Sequence, residues 1–422
     1  MTRLISAPWV LPITEAPIAD GAVVVDANDT LLDVGPRADL VRRYRDAVED
    51  RADGVLLPAL VNTHCHLELS ALAGAVPGGD GLITWATQLV PRARALDPAR
   101  ATAAATAAAV DMALCGTAAV GDVGNGLAAV PAIAAAGLRG VFFHELVGSR
   151  EARPGGALDD AARELDGFLA GQADGPDGDD GGNGAVTWPT GLAYVPAPHA
   201  PYSVGRELFR KIFHIAARTG VPTTIHVAED RDEIALLRDG GGRWPAVLAR
   251  MGVDPATRCP GQAPVAYLAS LGAFDAPMPP LLVHMVHAGE DDRRRARDAG
   301  ATVVLCARSN LHITGELPDV AALRADGVLL ALGTDSLASA PDLSLWGEMA
   351  TLAARFPDVP ASAWLDAATR AGAEAMGLHP LGSLTPGKRP GVIEVVGSGA
   401  ERDPAAALVS DPRPTVRWRA SA

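Results

Sequence analysis

Apolar residues in this chain fall into short runs separated by longer alanine-rich stretches. Eight runs of strand length lie at roughly 55 to 63, 117 to 123, 139 to 147, 191 to 197, 221 to 227, 280 to 284, 302 to 307 and 328 to 334. Between them, windows such as 97 to 114 and 128 to 137 are rich in alanine and predict helices that pack small residues inward. Continuous apolar strands alternating with helices predict a parallel sheet covered on its outer face, and eight such units predict an α/β fold of the (β/α)8 TIM-barrel type.

The polar residues that interrupt this pattern stand at its strand ends. Val55-Leu56-Leu57-Pro58-Ala59-Leu60-Val61 runs into Asn62-Thr63-His64-Cys65-His66. Residues i and i+2 of a strand share a face, so His64 and His66 point the same way and Cys65 points away. Further along, His226 closes Thr223-Thr224-Ile225, with Glu229 three residues on. His284 closes Leu281-Leu282-Val283, and Asp335 follows Leu329-Leu330-Ala331-Leu332-Gly333-Thr334. The carboxyl ends of parallel barrel strands are where active sites form, and imidazoles with a carboxylate suit a divalent metal. His287, three residues after His284, competes with it for a catalytic role.

Composition narrows the partners. The chain has 422 residues, 48% of them hydrophobic, enough for one large barrel and an accessory domain. A net charge of −14 excludes a nucleic-acid or anionic-membrane surface as the natural partner. The sequence lacks an apolar run of about 18 residues and a signal-like amino terminus, which predicts a soluble, cytoplasmic protein. Cys65, Cys115, Cys259 and Cys306 lack metal-finger spacing and read as free thiols. A Gly-Asp-rich stretch at 171 to 185 lacks the alternating ligands of a calcium loop and reads as an insertion.

Taken in order, the strand-end residues resemble the metal-dependent amidohydrolase superfamily, in its adenosine, guanine and cytosine deaminase-like branch. The resemblance implies that His64, His66, His226 and Asp335 are metal ligands, and that Glu229, His284 and Asp335 handle protons. His284 is preferred to His287 because the family's histidine sits directly at the strand end. Gly382-Ser383-Leu384-Thr385-Pro386-Gly387 and the residues that follow, through Val396, resemble the family's returning strand. Residues 1–54 and 377–422 are therefore expected to form a small β-sandwich beside a catalytic barrel over 55–376. Binuclear relatives bridge two ions with a lysine on the fourth barrel strand, and the only lysines here are Lys211 and Lys388, neither near a strand end. One ion is implied, with zinc the first choice and Fe(II) or Mn(II) compatible with the same ligands.

Within the branch, His66-Leu67-Glu68-Leu69-Ser70 followed by Trp85 is similar to aminodeoxyfutalosine deaminases of menaquinone biosynthesis. Gly116-Thr117-Ala118-Ala119-Val120-Gly121-Asp122, Phe143-His144-Glu145-Leu146-Val147-Gly148 and Cys306-Ala307-Arg308-Ser309-Asn310 share this character. The implied partner is a small nucleoside carrying a benzoate, and a homodimer is compatible with the family. Such a substrate needs an apolar wall, acceptors for ribose hydroxyls and a cation for its carboxylate. Trp85 is the candidate wall, Glu68 the acceptor, and Arg150, Arg308 and His199 the candidates for the carboxylate. Deaminases of S-adenosylhomocysteine, adenosine or guanine, other hydrolases of the superfamily, and a metal-free scaffold are the competing readings.

Overall fold

Two four-stranded parallel sheets form the centre of the protein, and their edges meet to close a ring. The computed structural model describes residues 1–148, 156–173, 188–397 and 402–422, with the side chains of 171–173 left out. In chain order the strands are β1 (Arg3–Val10), β2 (Ile18–Val25), β3 (Leu31–Pro36), β4 (Val48–Arg51), β5 (Val55–Pro58), β6 (Leu60–Cys65), β7 (Thr117–Gly124) and β8 (Arg139–Leu146). They continue with β9 (Leu192–Pro198), β10 (Thr224–Val227), β11 (Leu281–His284), β12 (Thr302–Leu305), β13 (Leu329–Leu332), β14 (Val392–Val395) and β15 (Val416–Ala420).

Strands β6 to β9 pair in sequence, as do β10 to β13. The first seam is closed where the Thr334 and Asp335 N–H groups donate to the His64 carbonyl at 2.9 and 3.1 Å. At the second seam the His226 N–H donates to the His199 carbonyl at 3.0 Å. Both seams therefore fall on residues named above as site candidates, so the barrel's closure and the site's geometry are one structure. Every residue of β6, β7, β10, β11 and β12 is buried, as expected for strands covered on both faces.

Helices supply the outer layer through their apolar stripes. Pro98–Leu114 is capped by Asp97, which accepts from the Arg100 N–H, and buries Ala105, Ala108, Ala109 and Met112 at helical spacing. Arg206–Thr219 buries Phe209, Ile212, Phe213 and Ala216, then stops at Gly220 in the left-handed conformation, φ 68°.

The run at 55 to 63 is not one strand. Val55–Pro58 pairs with β1 and β14, and only from Leu60 does the chain join β7 of the barrel. The change falls at Ala59, whose N–H donates to Gly391, directly after Pro58, which has no N–H to extend a ladder. Both chain ends thus build a seven-stranded sheet with β5, in the order β15-β14-β5-β1-β2-β3, with β4 branching from β1. Ile5, Val10, Val23, Val25, Leu56, Leu384 and Val392 pack together on one of its faces. Among the described residues no helix is long and apolar enough to cross a membrane. The Gly-Asp-rich stretch, apart from the helix end at Ala173, lies outside the described residues.

Candidate active site

The strand ends bring three imidazoles to one point. His64 belongs to β6, His66 follows it, and His226 is in β10; one ring nitrogen from each lies within 4.8 Å of the others. His66 Nε2 and His226 Nε2 are 3.4 Å apart, and Asp335 Oδ1 is 3.7 Å from His66 Nε2. The His226 Nδ1–H donates to the His199 carbonyl at 3.0 Å, which leaves Nε2 as the nitrogen facing the cluster.

His64 tests whether these residues fit a metal. It is fully buried, and neither of its ring nitrogens has a hydrogen-bond partner. A buried polar group without a partner costs about 1–3 kcal/mol. Burial, reinforced by the neighbouring imidazoles His66 and His226, pushes its pKa well below the ordinary histidine value, which favours the neutral imidazole. A divalent cation in contact with His64, His66, His226 and Asp335 would answer one of the orphaned nitrogens, and nitrogen and oxygen donors in that number suit zinc-like ions.

Asp335 is held with care. Burial opposes its charge, but His66, His284, the Ser309 hydroxyl and His226 outweigh that and hold its pKa below the usual carboxylate range. Its Oδ2 accepts from the hydroxyls of Ser309 and Ser339, leaving Oδ1 toward His66. The backbone at Asp335 is left-handed, φ 58°, as it is at Ala228 (53°) and His284 (76°). Non-glycine residues in this region cost roughly 1–3 kcal/mol each and persist where the surroundings over-determine them, often at active sites.

Glu229 and His284 face one another across the cluster, with His284 Nε2 at 3.6 Å from Glu229 Oε1. Burial, helped by the carboxylates of Asp335, Glu233 and Asp230, raises the Glu229 pKa well above the usual range. Its protonated form is therefore favoured relative to an ordinary carboxyl. Burial pushes the His284 imidazole down to about 3. His287 goes elsewhere: its Nε2 lies 3.0 Å from Glu316.

On the side of β8 and β9 the walls are polar. The Asn125 N–H donates to both oxygens of Glu68 at 3.0 Å, and its side-chain Nδ2 donates to Glu145 Oε2 at 3.1 Å. Glu145 is buried, its Oε1 has no hydrogen-bond partner, and it approaches His226 to 3.5 Å. His199 joins it: ligating atoms of Glu145, His199 and His226 also lie within 4.8 Å of each other. His199 Nδ1 is bound to the Ser203 hydroxyl at 2.6 Å, which orients its other nitrogen. Trp85 is buried in a neighbouring apolar cluster with Leu72, Tyr202, Trp244, Ile313 and Ala338.

The arginines divide differently. Arg308 donates to Glu348 Oε1 at 2.7 Å, to Asp342 Oδ1 at 2.6 Å and to the carbonyls of Asp342 and Ser344, both at 2.9 Å. Its fork is committed to the protein, and we do not carry it into the substrate site. Arg150 lies outside the described residues. The sequence assigns no individual role to Glu145, Asn125, Ser309 or Asn310, although Glu145 lies in the family-like segment Phe143–Gly148 and Ser309 and Asn310 in Cys306–Asn310.

Residues 55–413 match the amidohydrolase family. The chain is 33% identical over 370 residues to an aminodeoxyfutalosine deaminase of Deinococcus radiodurans, covering 85% of this chain and 81% of that one. It is 28% identical to a 5-methylthioadenosine/S-adenosylhomocysteine deaminase of Pelotomaculum thermopropionicum, over 89% of this chain and 80% of the relative. The crystal structure of Helicobacter pylori aminofutalosine deaminase in complex with methylthio-coformycin superposes with a TM-score of 0.81 at 20% identity, over 98% of this chain and 97% of that one, and bears on the fold.

Proposed function

We propose that this chain, which belongs to the amidohydrolase family, deaminates an adenine nucleoside, and that its substrate is aminodeoxyfutalosine. The observation that carries the chemistry is the placement of Glu229, whose pKa burial raises, and Asp335, whose pKa its neighbours lower, around a histidine cluster whose His64 nitrogens lack hydrogen-bond partners. The likeness to the Deinococcus enzyme supports the choice of substrate. We read the cofactor as one zinc ion held by His64, His66, His226 and Asp335.

Bound there, a divalent ion makes water acidic enough to attack at neutral pH. Asp335 takes the proton of the attacking water, since its free oxygen faces the cluster and its other oxygen is fixed by Ser309 and Ser339. His284 fixes the attacking oxygen by a hydrogen bond. Glu229 gives its proton to the purine ring nitrogen as oxygen adds to the amine-bearing carbon, and the proton held by Asp335 goes to the departing amine. The carbon–nitrogen bond breaks and ammonia leaves; the added oxygen gives up its second proton to become the ring carbonyl, and that proton returns to Glu229, which restores the acid. Two carboxylates with opposite protonation states thus divide acid and base work.

For the nucleoside, Glu68 and Glu145 supply acceptors for ribose hydroxyls, because the buried Glu145 Oε1, 3.5 Å from His226 Nδ1, has no hydrogen-bond partner within the chain. Trp85 backs the apolar side. His199 is the histidine placed to touch the substrate, and Arg150 remains the proposed partner of its carboxylate. The free thiols and the nucleoside substrate fit a cytoplasmic enzyme. The relative from Pelotomaculum supports a second reading, deamination of 5-methylthioadenosine or S-adenosylhomocysteine with the same chemistry. Comparing kcat/KM for aminodeoxyfutalosine, 5-methylthioadenosine, S-adenosylhomocysteine, adenosine and guanine tests the choice. Preference for aminodeoxyfutalosine supports it, and preference for another compound overturns the substrate while keeping the reaction.

A further inference from the structure

We infer that Asn310 is a positioning residue that fixes the tautomer of His284, holding the ring's single proton on Nε2. The inference rests on the deaminase reading for its consequence, but not for its geometry. Asn310 lies in the short helix Ala307–Ile313, just after β12, and is buried. Its side-chain Nδ2 stands 3.1 Å from His284 Nδ1. An amide nitrogen is only a donor, so the ring nitrogen it meets must offer a lone pair. A neutral imidazole has one N–H and one lone pair, so the proton then sits on Nε2.

The opposite side of the ring agrees. His284 Nε2 faces Glu229 Oε1 at 3.6 Å, an oxygen able to accept. The remaining ring neighbours do not compete for Nε2 through the ring plane: His226 lies parallel to it, with centroids 5.5 Å apart and planes 20° from parallel, and His64 meets it edge-on at 6.0 Å. Turning the Asn310 amide over would put its oxygen on Nδ1 and move the proton there. That would leave the amide's N–H groups buried where Oδ1 now stands, a place with no hydrogen-bond partner. The assigned orientation leaves one unpaired acceptor instead.

The consequence is a division of labour. With its proton on Nε2, His284 donates a hydrogen bond to the attacking oxygen and has no lone pair there to take that oxygen's proton. Proton removal is then left to Asp335. Asn310 touches no reacting atom and acts only through His284.

Nitrogen-15 NMR of zinc-loaded protein labelled at histidine reads the tautomer directly, with the His284 signals assigned by their loss in His284→Gln. The expected spectrum has Nδ1 in the unprotonated range and Nε2 in the protonated range. Asn310→Ala should shift both signals toward a mixture, and Asn310→Asp, which presents an acceptor, should move the proton to Nδ1. In both variants kcat should fall about 10- to 100-fold with KM changed far less. A wild-type His284 carrying its proton on Nδ1 overturns the inference, as does an unchanged tautomer in Asn310→Asp. Should a variant fail to fold, the wild-type spectrum still decides. The spectrum needs no substrate, so an Nε2–H signal in a protein that deaminates no purine would fail the functional reading alone.

Discussion

Nε2 of His284 lies 3.6 Å from Oε1 of Glu229, a neutral imidazole against a carboxyl whose pKa burial raises. Neither group belongs to the histidine cluster that fits the metal, so their removal separates proton transfer from metal binding. Glu229→Gln keeps the shape of the side chain and deletes its acid. Turnover should fall by about 10²- to 10⁴-fold with metal content unchanged, the range typical of a positioned acid or base. Steady-state rates paired with elemental analysis check this, and a near-native rate with full metal would remove Glu229 from the chemistry.

His64 should couple metal to stability. One of its two unpaired ring nitrogens gains a partner when the cation is bound, so chelation should lower the melting temperature. Free metal at 100 times its Kd stabilises the fold by about 2.7 kcal/mol. Melting curves with and without chelator should differ for the wild type and coincide for His64→Ala; equal shifts in both would place the metal elsewhere.

Glu145 should govern recognition of the sugar. Glu145→Gln can keep the bond from Asn125 but replaces the unpaired Oε1 with a donor. KM for a ribonucleoside should rise about 10- to 100-fold, as expected for losing a hydrogen bond to a charged group worth ~1.5–3 kcal/mol. The wild-type preference for a ribonucleoside over its 2′-deoxy analogue should shrink in the variant. An unchanged preference would assign Glu145 to His226 and His199 alone.

Arg308 gives the opposite expectation from a substrate ligand. Glu348 beneath it is fully buried, with its pKa pushed up to about 7 by burial despite the arginine. Arg308→Ala leaves that group without its partner and should destabilise the fold by roughly 3–5 kcal/mol. Urea unfolding measures it, and a stable variant with a raised KM would return Arg308 to the pocket.

Asp122 sets a pH dependence. Its Oδ1 accepts from the Leu67 N–H at 2.9 Å, its Oδ2 is buried without a partner, and burial raises its pKa from 3.8 to about 8. The folded state therefore holds this proton more tightly than the unfolded chain. The stability it contributes is full below about pH 4 and is lost as pH rises through about 8. Asp122→Asn keeps the acceptor for Leu67 and removes the titration, so its melting temperature should fall less than the wild type's between pH 6 and 9.

Much of this was readable from the chain because strand ends are marked twice, by an apolar run and by the polar residue that stops it. His226, His284 and Asp335 carry that signature, and the barrel's order follows from the same runs. Residues acting from the flank of a strand end were not readable. Arg308 looks like a free cation in sequence, yet its partners Glu348 and Asp342 lie 40 and 34 residues away. Asn310 meets His284 across 26 residues, and Asn125 joins Glu68 to Glu145 across 57 and 20. The apolar run through Pro58 reads as one strand because periodicity does not show which sheet receives each half.

The most direct test of the account is a titration of metal-free protein with zinc while ammonia release from aminodeoxyfutalosine is followed. The account predicts no turnover at the start and a rise that saturates at one zinc per chain. Turnover without metal, saturation at two ions per chain, or a zinc-loaded protein that releases no ammonia would contradict it.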